Sequence, residues 1–160
     1  MKALGFIGFR VDDRMIHGIV ATQWVPNLKA TRAMVIDDEA STNDIMRSSM
    51  KMATPAGVAL SVIDHTKAVT NIGNNKYANQ RVFCVFKTVE SAYELFKAGV
   101  EIPHLNLGDV TQNTGETTVL AKTVRVNLKE KEMLKEMRDA GVKLQLNSLH
   151  LIQKLMFQNY

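Results

Sequence analysis

The chain has 160 residues, of which 46% are hydrophobic, 22% charged and 6% aromatic. These fractions are ordinary for a folded protein and exclude a disordered, collagen-like or disulfide-stapled chain. The net charge of +4 is a modest excess and the basic residues do not cluster, so no nucleic-acid partner is expected. A small anion such as phosphate remains a candidate ligand, and the length predicts a single domain over residues 1–160.

Apolar runs rich in β-branched residues alternate with segments of helical period. In chain order the predicted elements are strand Phe6–Val11, helix Ile16–Trp24 closed near Pro26, strand Ala33–Ile36, helix Thr42–Met52, strand Val58–Ile63, helix Thr66–Ile72, strand Val82–Phe86, helix Ser91–Lys97, strand His104–Leu107, an ambiguous strand or helix Val119–Val126, helix Lys129–Ala140 and strand Val142–Leu146. The alternation predicts an α/β fold, with an open, mostly parallel sheet and helices on both faces.

The sequence also favours a reducing, cytoplasmic environment. The lone cysteine, Cys84, lies in an apolar run and is expected to be a buried thiol. No apolar stretch approaches the roughly 20 residues that span a bilayer. The N-terminal apolar residues reach Arg10 too early for a signal peptide. We therefore expect a soluble intracellular protein.

In parallel sheets, functional sites lie beyond the carboxyl ends of the strands. Four segments occupy such positions here: Asp12–Gly18, Asp37–Glu39, Phe86–Thr88 and Asn106–Asp109. The first is the most charged, and we expect it to carry the chemistry. The side chains expected to line or orient the site are Asp12, Asp13, Asp37, Phe86, Lys87 and Gly108. For Asp37 and its neighbour Asp38, helix capping is an equal alternative.

The segment Arg10–Gly18 ends a strand, turns and opens a helix, whose unpaired N–H groups and dipole favour an anion. Arg14 adds a guanidinium fork that matches phosphate oxygens. His17 offers a nucleophilic imidazole nitrogen, and Gly18 removes steric bulk beside it. Either Asp12 or Asp13 could bind the other ring nitrogen and fix the tautomer. The loop therefore predicts a histidine that accepts and donates a phosphoryl group.

The same residues also permit a structural interpretation. A histidine between a strand and a helix is often a cap or a half-buried packing residue, and the arginine and aspartates would then form surface ion pairs of little consequence. The coincidence of His17, Arg14, two aspartates and Gly18 on one loop favours the chemical interpretation.

These residues carry a resemblance to a known family. Residues Arg10–Trp24 resemble the opening signature of the mannose/fructose/sorbose-type enzyme IIB component of the bacterial sugar phosphotransferase system. The similarity extends to about Leu146, through Val35–Glu39, Asn43-Asp44, Pro55–Val58, Asn74–Tyr77, Arg81-Val82, Phe86-Lys87, Gly99-Val100 and Asn106–Gly108.

The resemblance implies an activity, partners and site residues. It implies that His17 accepts a phosphoryl group on Nδ1 from a phosphohistidine of the IIA component. The group would then pass to a sugar entering through the membrane components IIC and IID, at the inner face of the cell membrane. Arg14 would hold the phosphate, and Arg10 and Gly18 are the other expected phosphate-binding residues. No metal or organic cofactor is expected.

Three features depart from the family pattern. Ile19 stands where the family usually has Gln, and Asp109 replaces the second glycine of a Gly-Gly pair, placing negative charge near the expected phosphate. The tail Asn147–Tyr160 has an atypical sequence with apolar residues at helical spacing, which predicts a packed helix or, alternatively, a dimer or membrane-partner contact.

Other patterns are weaker, and two competing functions remain open. His65, His104 and His150 are scattered and form no metal-binding spacing. The glycines form neither a dinucleotide-binding nor a P-loop motif, so a nucleotide-binding enzyme rests on fold analogy alone. The stronger competitor is a non-catalytic binding or regulatory module on the same fold, which Ile19 and Asp109 keep open.

Overall fold

The computed structural model describes residues 1–146. Its strands are β1 Phe6–Asp12, β2 Arg32–Ile36, β3 Ala59–Ile63, β4 Val82–Phe86, β5 His104–Asp109, β6 Thr118–Ala121, β7 Val124–Val126 and β8 Lys143–Leu146. Its helices are α1 Val25–Asn27, directly preceded by a π-helical segment Val20–Trp24, then α2 Asp38–Ser41, α3 Asp44–Ala53, α4 His65–Gly73, α5 Val89–Lys97 and α6 Leu128–Asp139. The terminal-helix prediction lies outside the described residues.

Within residues 1–146, six strands form one parallel sheet in the order β3-β2-β4-β1-β5-β8. Both faces of the sheet are covered, because alternate side chains of β2 and β4 enter two separate hydrophobic clusters. On β4, Cys84 and Phe86 face α4, α5 and α6, whereas Phe83 and Val85 face the π-helical segment and α3. The predicted α/β fold with helices on both faces is confirmed, and Cys84 is buried as expected.

The first helix differs from its prediction. Helical backbone begins at Gly18 and continues through Pro26 to Asn27, whereas the sequence predicts Ile16–Trp24. Pro26 has no N–H to donate, and the turn before it widens so that the Val25 N–H reaches the Val20 carbonyl. The wider turn carries the chain past the proline without ending the helix.

Two further segments correct the sequence-based assignment. The ambiguous Val119–Val126 is an antiparallel hairpin of β6 and β7, which docks beside the end of β5 through hydrogen bonds at Val110. The predicted helix Thr42–Met52 corresponds to α3, which begins two residues later with Asn43 as its cap, and the short helix α2 before it was not predicted. The helical spacing behind this prediction does not mark the core face. Ile45, Ser49 and Met52 lie on the exposed side of α3, since Ile45 is 84% and Met52 87% exposed.

The order of connections creates a crevice at the carboxyl edge of the sheet. The chain leaves β1 along one face through the π-helical segment and α1 toward β2, and it leaves β4 along the other face through α5 toward β5. β1 and β4 are neighbours in the sheet, and the connections that follow them leave along opposite faces. A crevice therefore opens between these two connections. Ligand sites form at such switch points, so the fold places the loop after β1 where chemistry is expected.

His65 links three helices at this edge of the sheet. Its Nδ1 lies 3.0 Å from Asp38 Oδ1 and 3.4 Å from Glu94 Oε2, and its Nε2 lies 2.9 Å from the Ser91 carbonyl oxygen. Burial by itself lowers the pKa of His65, but the acceptors on Ser91, Asp38 and Glu94 outweigh this effect, so its pKa is raised. The protonated imidazole therefore ties α4 to α2 and α5.

Because the pKa of His65 is raised on folding, its charged form stabilises the fold fully below the unfolded value of about 6.5. This stabilisation is lost as the pH rises through the folded pKa. We expect the difference in unfolding free energy between wild type and His65→Gln to shrink from pH 6 to pH 8, measured by urea unfolding. His104, whose pKa is lowered chiefly by burial, titrates with the opposite sign but is common to both proteins. A pH-independent difference would contradict the link.

Candidate active site

The loop after β1 folds back over the end of its own strand. Met15 N–H donates to the Asp12 carbonyl at 2.9 Å, closing a tight turn. Met15 has φ of 59°, a left-handed conformation, and its side chain is buried. Immediately after this reversal the helical backbone starts at Gly18. The reversal brings His17 back to the carboxylate of Asp12.

The Asp12 carboxylate is the hub of the site and is fully buried. Its Oδ1 lies 3.0 Å from His17 Nε2 and accepts the Arg14 backbone N–H at 3.1 Å. Its Oδ2 accepts from Arg10 Nε at 3.2 Å and from Arg10 Nη2 at 3.1 Å. Both oxygens thus accept hydrogen bonds. Of the two candidate aspartates, Asp12 contacts the imidazole.

Arg10 is buried beneath this carboxylate. Its guanidinium stacks over Trp24, with Cζ 4.7 Å from the ring centroid, and its other terminal nitrogen, Nη1, donates an N–H to Asn106 Oδ1. A Cβ on Gly108 would lie 2.1 Å from the Arg10 Cζ, so the absence of a side chain there makes room for the guanidinium. Burial lowers the pKa of Arg10, and Asp12 opposes this effect. Three of its five N–H groups donate to Asp12 and Asn106, and the phosphate contact of Arg10 stays a prediction.

The Asp12 contact sets the tautomer of His17. An ionised carboxylate only accepts hydrogen bonds, so Nε2 carries the ring proton and the neutral imidazole presents a lone pair at Nδ1. The side chain is 20% exposed. Apart from its two chain neighbours and its own helix backbone, no heavy atom of the described residues lies within 4 Å of the position a Gly18 Cβ would take. The ring is therefore oriented, partly accessible and free of crowding from Gly18.

Arg14 occupies the outer side of the site. Its side chain is 61% exposed, and its guanidinium donates to Asp109 Oδ2. The hydrogen bond that this carboxylate accepts raises the pKa of Arg14. The predicted phosphate ligand is thus present beside the loop, but in this structure it is paired with a carboxylate from β5.

Asp13 has a different task from Asp12. Its Oδ2 accepts from the Thr111 N–H at 2.7 Å and from the Thr111 hydroxyl at 2.8 Å, which ties the loop after β5 to the loop after β1. Its Oδ1 is buried with no hydrogen-bond partner among residues 1–146. A cavity of about 380 Å³ adjoins it, lined by Asp13, Lys87, Thr88, Val110, Gln112, Asn113 and Glu130.

The remaining predicted site residues fall into other roles. Phe86 is fully buried and stacks on Phe9, so it belongs to the core and does not line the site. Asp37 caps α2 by accepting the Ala40 N–H at 2.9 Å, as the capping alternative predicts. Lys87 pairs with Glu39 at 3.4 Å and lines the cavity.

Two groups within the described part of the chain bring a histidine and two carboxylates within 4.8 Å, the separation at which they could share a cation: Asp12, His17 and Asp109, and Asp38, His65 and Glu94. In the first group both carboxylates already pair with arginines. In the second, the Ser91 carbonyl and the two acids raise the pKa of His65 and so favour its protonated form. That the protein uses no metal or cofactor stays a prediction.

The comparisons with known proteins agree with one another. A family model for the PTS system sorbose subfamily IIB component matches residues 7–158. The sorbose-specific EIIB component of Lacticaseibacillus casei is 34% identical over 137 residues, covering 86% of this chain and 83% of its own length. The IIBSor domain of the sorbose permease from Klebsiella pneumoniae has a TM-score of 0.83 at 29% identity, covering 90% of this chain and 88% of that one. The chain belongs to this IIB family.

A second relative bears on the partners of this IIB component. The mannose-specific EIIAB component of Escherichia coli K12 is 32% identical over 146 residues, which span 91% of this chain but 45% of that longer protein. IIB components are phosphotransferases that work with a IIA component and a membrane component IIC. The protein is a phosphocarrier subunit of a sugar-transporting phosphotransferase system, as the resemblance of Arg10–Trp24 predicts, and a non-catalytic module is not favoured.

Three residues that support the site were not among its predicted members. Asn106 and Trp24 both contact Arg10, and Thr111 holds Asp13. Trp24 lies within the family signature, which was an available signal. Thr111 is one of several polar residues in a turn-rich stretch and has no distinguishing pattern.

Replacing Gly108 by Ala tests the support beneath Asp12. The added Cβ would displace the Arg10 guanidinium and leave Asp12 partly uncompensated. We expect a loss of about 1–3 kcal/mol in unfolding free energy, typical of overpacking a buried site, measured by urea unfolding. Gly73→Ala is the matched control, because its Cβ would meet no described atom closer than 3.9 Å. Equal stability of Gly108→Ala and wild type would show that Arg10 does not need this space.

Proposed function

We propose that His17 Nδ1 receives a phosphoryl group from a phosphohistidine of the IIA component and passes it to a sugar entering through IIC and IID. The observation that carries this proposal is the 3.0 Å contact between His17 Nε2 and the buried carboxylate of Asp12. Among the described histidines, His65 and His104 lack a comparable open loop with an adjacent arginine and glycine. The family membership supports the direction of transfer.

The proposed transfer balances without moving a proton from His17. The Nδ1 lone pair forms the new N–P bond while the N–P bond of the donor breaks, and its electron pair returns to the donor imidazole. The proton stays on Nε2 and is donated in the hydrogen bond to Asp12, whose negative charge stabilises the positive charge that develops on the ring. Phosphoryl transfer through a loose transition state needs mainly such positioning and charge compensation. Asp12 is therefore a positioning residue.

Arg14 and the start of the first helix would hold the transferring oxygens. Helical backbone begins at Gly18, where first-turn N–H groups favour an anion. The exposed Arg14 guanidinium offers two donors to neighbouring oxygens of a phosphoryl group. The open space at Gly18 would let a partner histidine approach the ring.

The finer partners and the location are also proposals. No helix among residues 1–146 is long and apolar enough to cross a membrane. We propose that the protein works in the cytoplasm and meets the inner face of the membrane through IIC and IID. Relatives are named for sorbose, mannose, N-acetylgalactosamine and fructose, which supports a sugar of this class as acceptor. Self-association stays a prediction.

Replacing His17 by Gln tests the phosphoryl site. Glutamine keeps an N–H for Asp12 but has no nucleophilic ring nitrogen, so we expect the fold to survive and phosphorylation by phosphorylated IIA to vanish. Phosphate can be located by mass spectrometry under alkaline conditions, where phosphohistidine survives. Single Gln variants of His65, His104 and His150 are the controls and should keep the phosphate. Phosphate retained in His17→Gln would overturn the assignment.

Arg14 variants test the phosphate clamp. We expect Arg14→Ala to slow phosphoryl transfer about 100-fold, as loss of a charge-stabilising donor does, and Arg14→Lys to slow it less. Thermal melts should not change, because this side chain is largely exposed. Single-turnover transfer from phosphorylated IIA measures the rate. Wild-type rates in both variants would remove Arg14 from the site.

A further inference from the structure

A carboxylate from β5 lies against the reacting histidine. The pairing of β1 with β5 sets Asp109 opposite Asp12, and the Asp13 N–H donates to the Asp109 carbonyl at 2.9 Å. One carboxylate oxygen each of Asp12 and Asp109 and one ring nitrogen of His17 lie within 4.8 Å of one another. Strand pairing therefore fixes a second carboxylate beside the His17 ring.

The two arginines of the site differ in mobility. Arg10 is buried, stacked on Trp24 and bonded to Asp12 and Asn106, so it cannot reorient without breaking these contacts. Arg14 is 61% exposed, and its guanidinium donates to Asp109, whose side chain is 16% exposed. Ion pairs this accessible to water are worth little and exchange partners readily. Arg14 is thus the cation that can move to a new anion.

A phosphoryl group would bring a charge of about −1.5 to −2 into this site. The surrounding side chains already carry three negative charges, on Asp12, Asp13 and Asp109, against two positive ones on Arg10 and Arg14. Arg14 donates to Asp109 through one terminal nitrogen, so turning that nitrogen to the phosphoryl oxygens would release Asp109. The released carboxylate then faces the phosphoryl group at short range, where like charges repel.

We propose that Asp109 competes with the phosphoryl group for Arg14 and thereby makes phosphorylated His17 a stronger phosphoryl donor. The inference rests on the proposed function of His17. Asp109 is a positioning residue: it takes no proton and forms no bond to phosphorus. It stabilises the empty site by pairing with Arg14 and destabilises the phosphorylated site, so the equilibrium shifts toward onward transfer to the sugar.

The equilibrium between this protein and phosphorylated IIA, without membrane components, measures the effect. The ratio of phosphorylated to free protein at a fixed IIA ratio is read by mass spectrometry. We expect Asp109→Asn to raise this equilibrium constant about tenfold, which corresponds to about 1.4 kcal/mol. Glu136→Gln is the matched control, because it also removes one carboxylate from an exposed cation, Lys97, and should change nothing. An unchanged constant in Asp109→Asn overturns the inference.

A double-mutant cycle separates competition from plain repulsion. In an Arg14→Ala background there is no ion pair to break, so the gain from Asp109→Asn should be smaller than with Arg14 present. An equal or larger gain would overturn the competition. Thermal melts check folding, and Asp109→Ser replaces Asp109→Asn if the latter is unfolded. Wild-type protein without phosphate on His17 would overturn the proposed function itself, whereas a phosphorylated His17 insensitive to Asp109 overturns only this inference.

Discussion

The burial of the Asp12 carboxylate is the constraint on which this site depends. An ionised carboxylate removed from water is costly unless charged or N–H donors surround it, and loss of one partner of a buried pair costs about 3–5 kcal/mol. Arg10 supplies two donors, and the Arg14 backbone supplies a third. Arg10 is itself buried. Its guanidinium donates to Asn106, stacks on Trp24 and fills the space that a side chain at position 108 would occupy.

The sheet makes this arrangement available. Successive side chains of a strand point to opposite faces, so Phe9 and Val11 enter the core on one side of β1 while Arg10 and Asp12 lie on the other. Trp24 reaches Arg10 from the π-helical segment that packs on that second face, and Asn106 reaches it from β5, the neighbouring strand. The buried charges are therefore held from three elements.

The site has a fixed inner part and a movable outer part. Asp12, Arg10 and the imidazole of His17 form a mostly buried set of hydrogen bonds that orients the ring. Arg14 and Asp109 form an accessible pair at the rim. A phosphocarrier must accept its group from one partner and release it to another. A rigid base with an exposed cation above it suits that requirement, because the proposed nucleophile, His17, stays oriented while the proposed phosphate contact of Arg14 can be made and broken.

Sequence by itself determined the family, the α/β class and the loop Arg10–Gly18, because strand-helix alternation and the histidine signature are local patterns along the chain. It could not choose between Asp12 and Asp13, or foresee that Phe86 is core and Arg10 is buried. These outcomes depend on which face of a strand meets which neighbour. Asn106 lies 96 residues along the chain from Arg10, and Asp109 lies 95 from Arg14. Only the pairing of β1 with β5 brings them, and Gly108 between them, to the loop. Tertiary structure decided them because hydrogen bonds and charge compensation act through space, at distances that sequence separation does not encode.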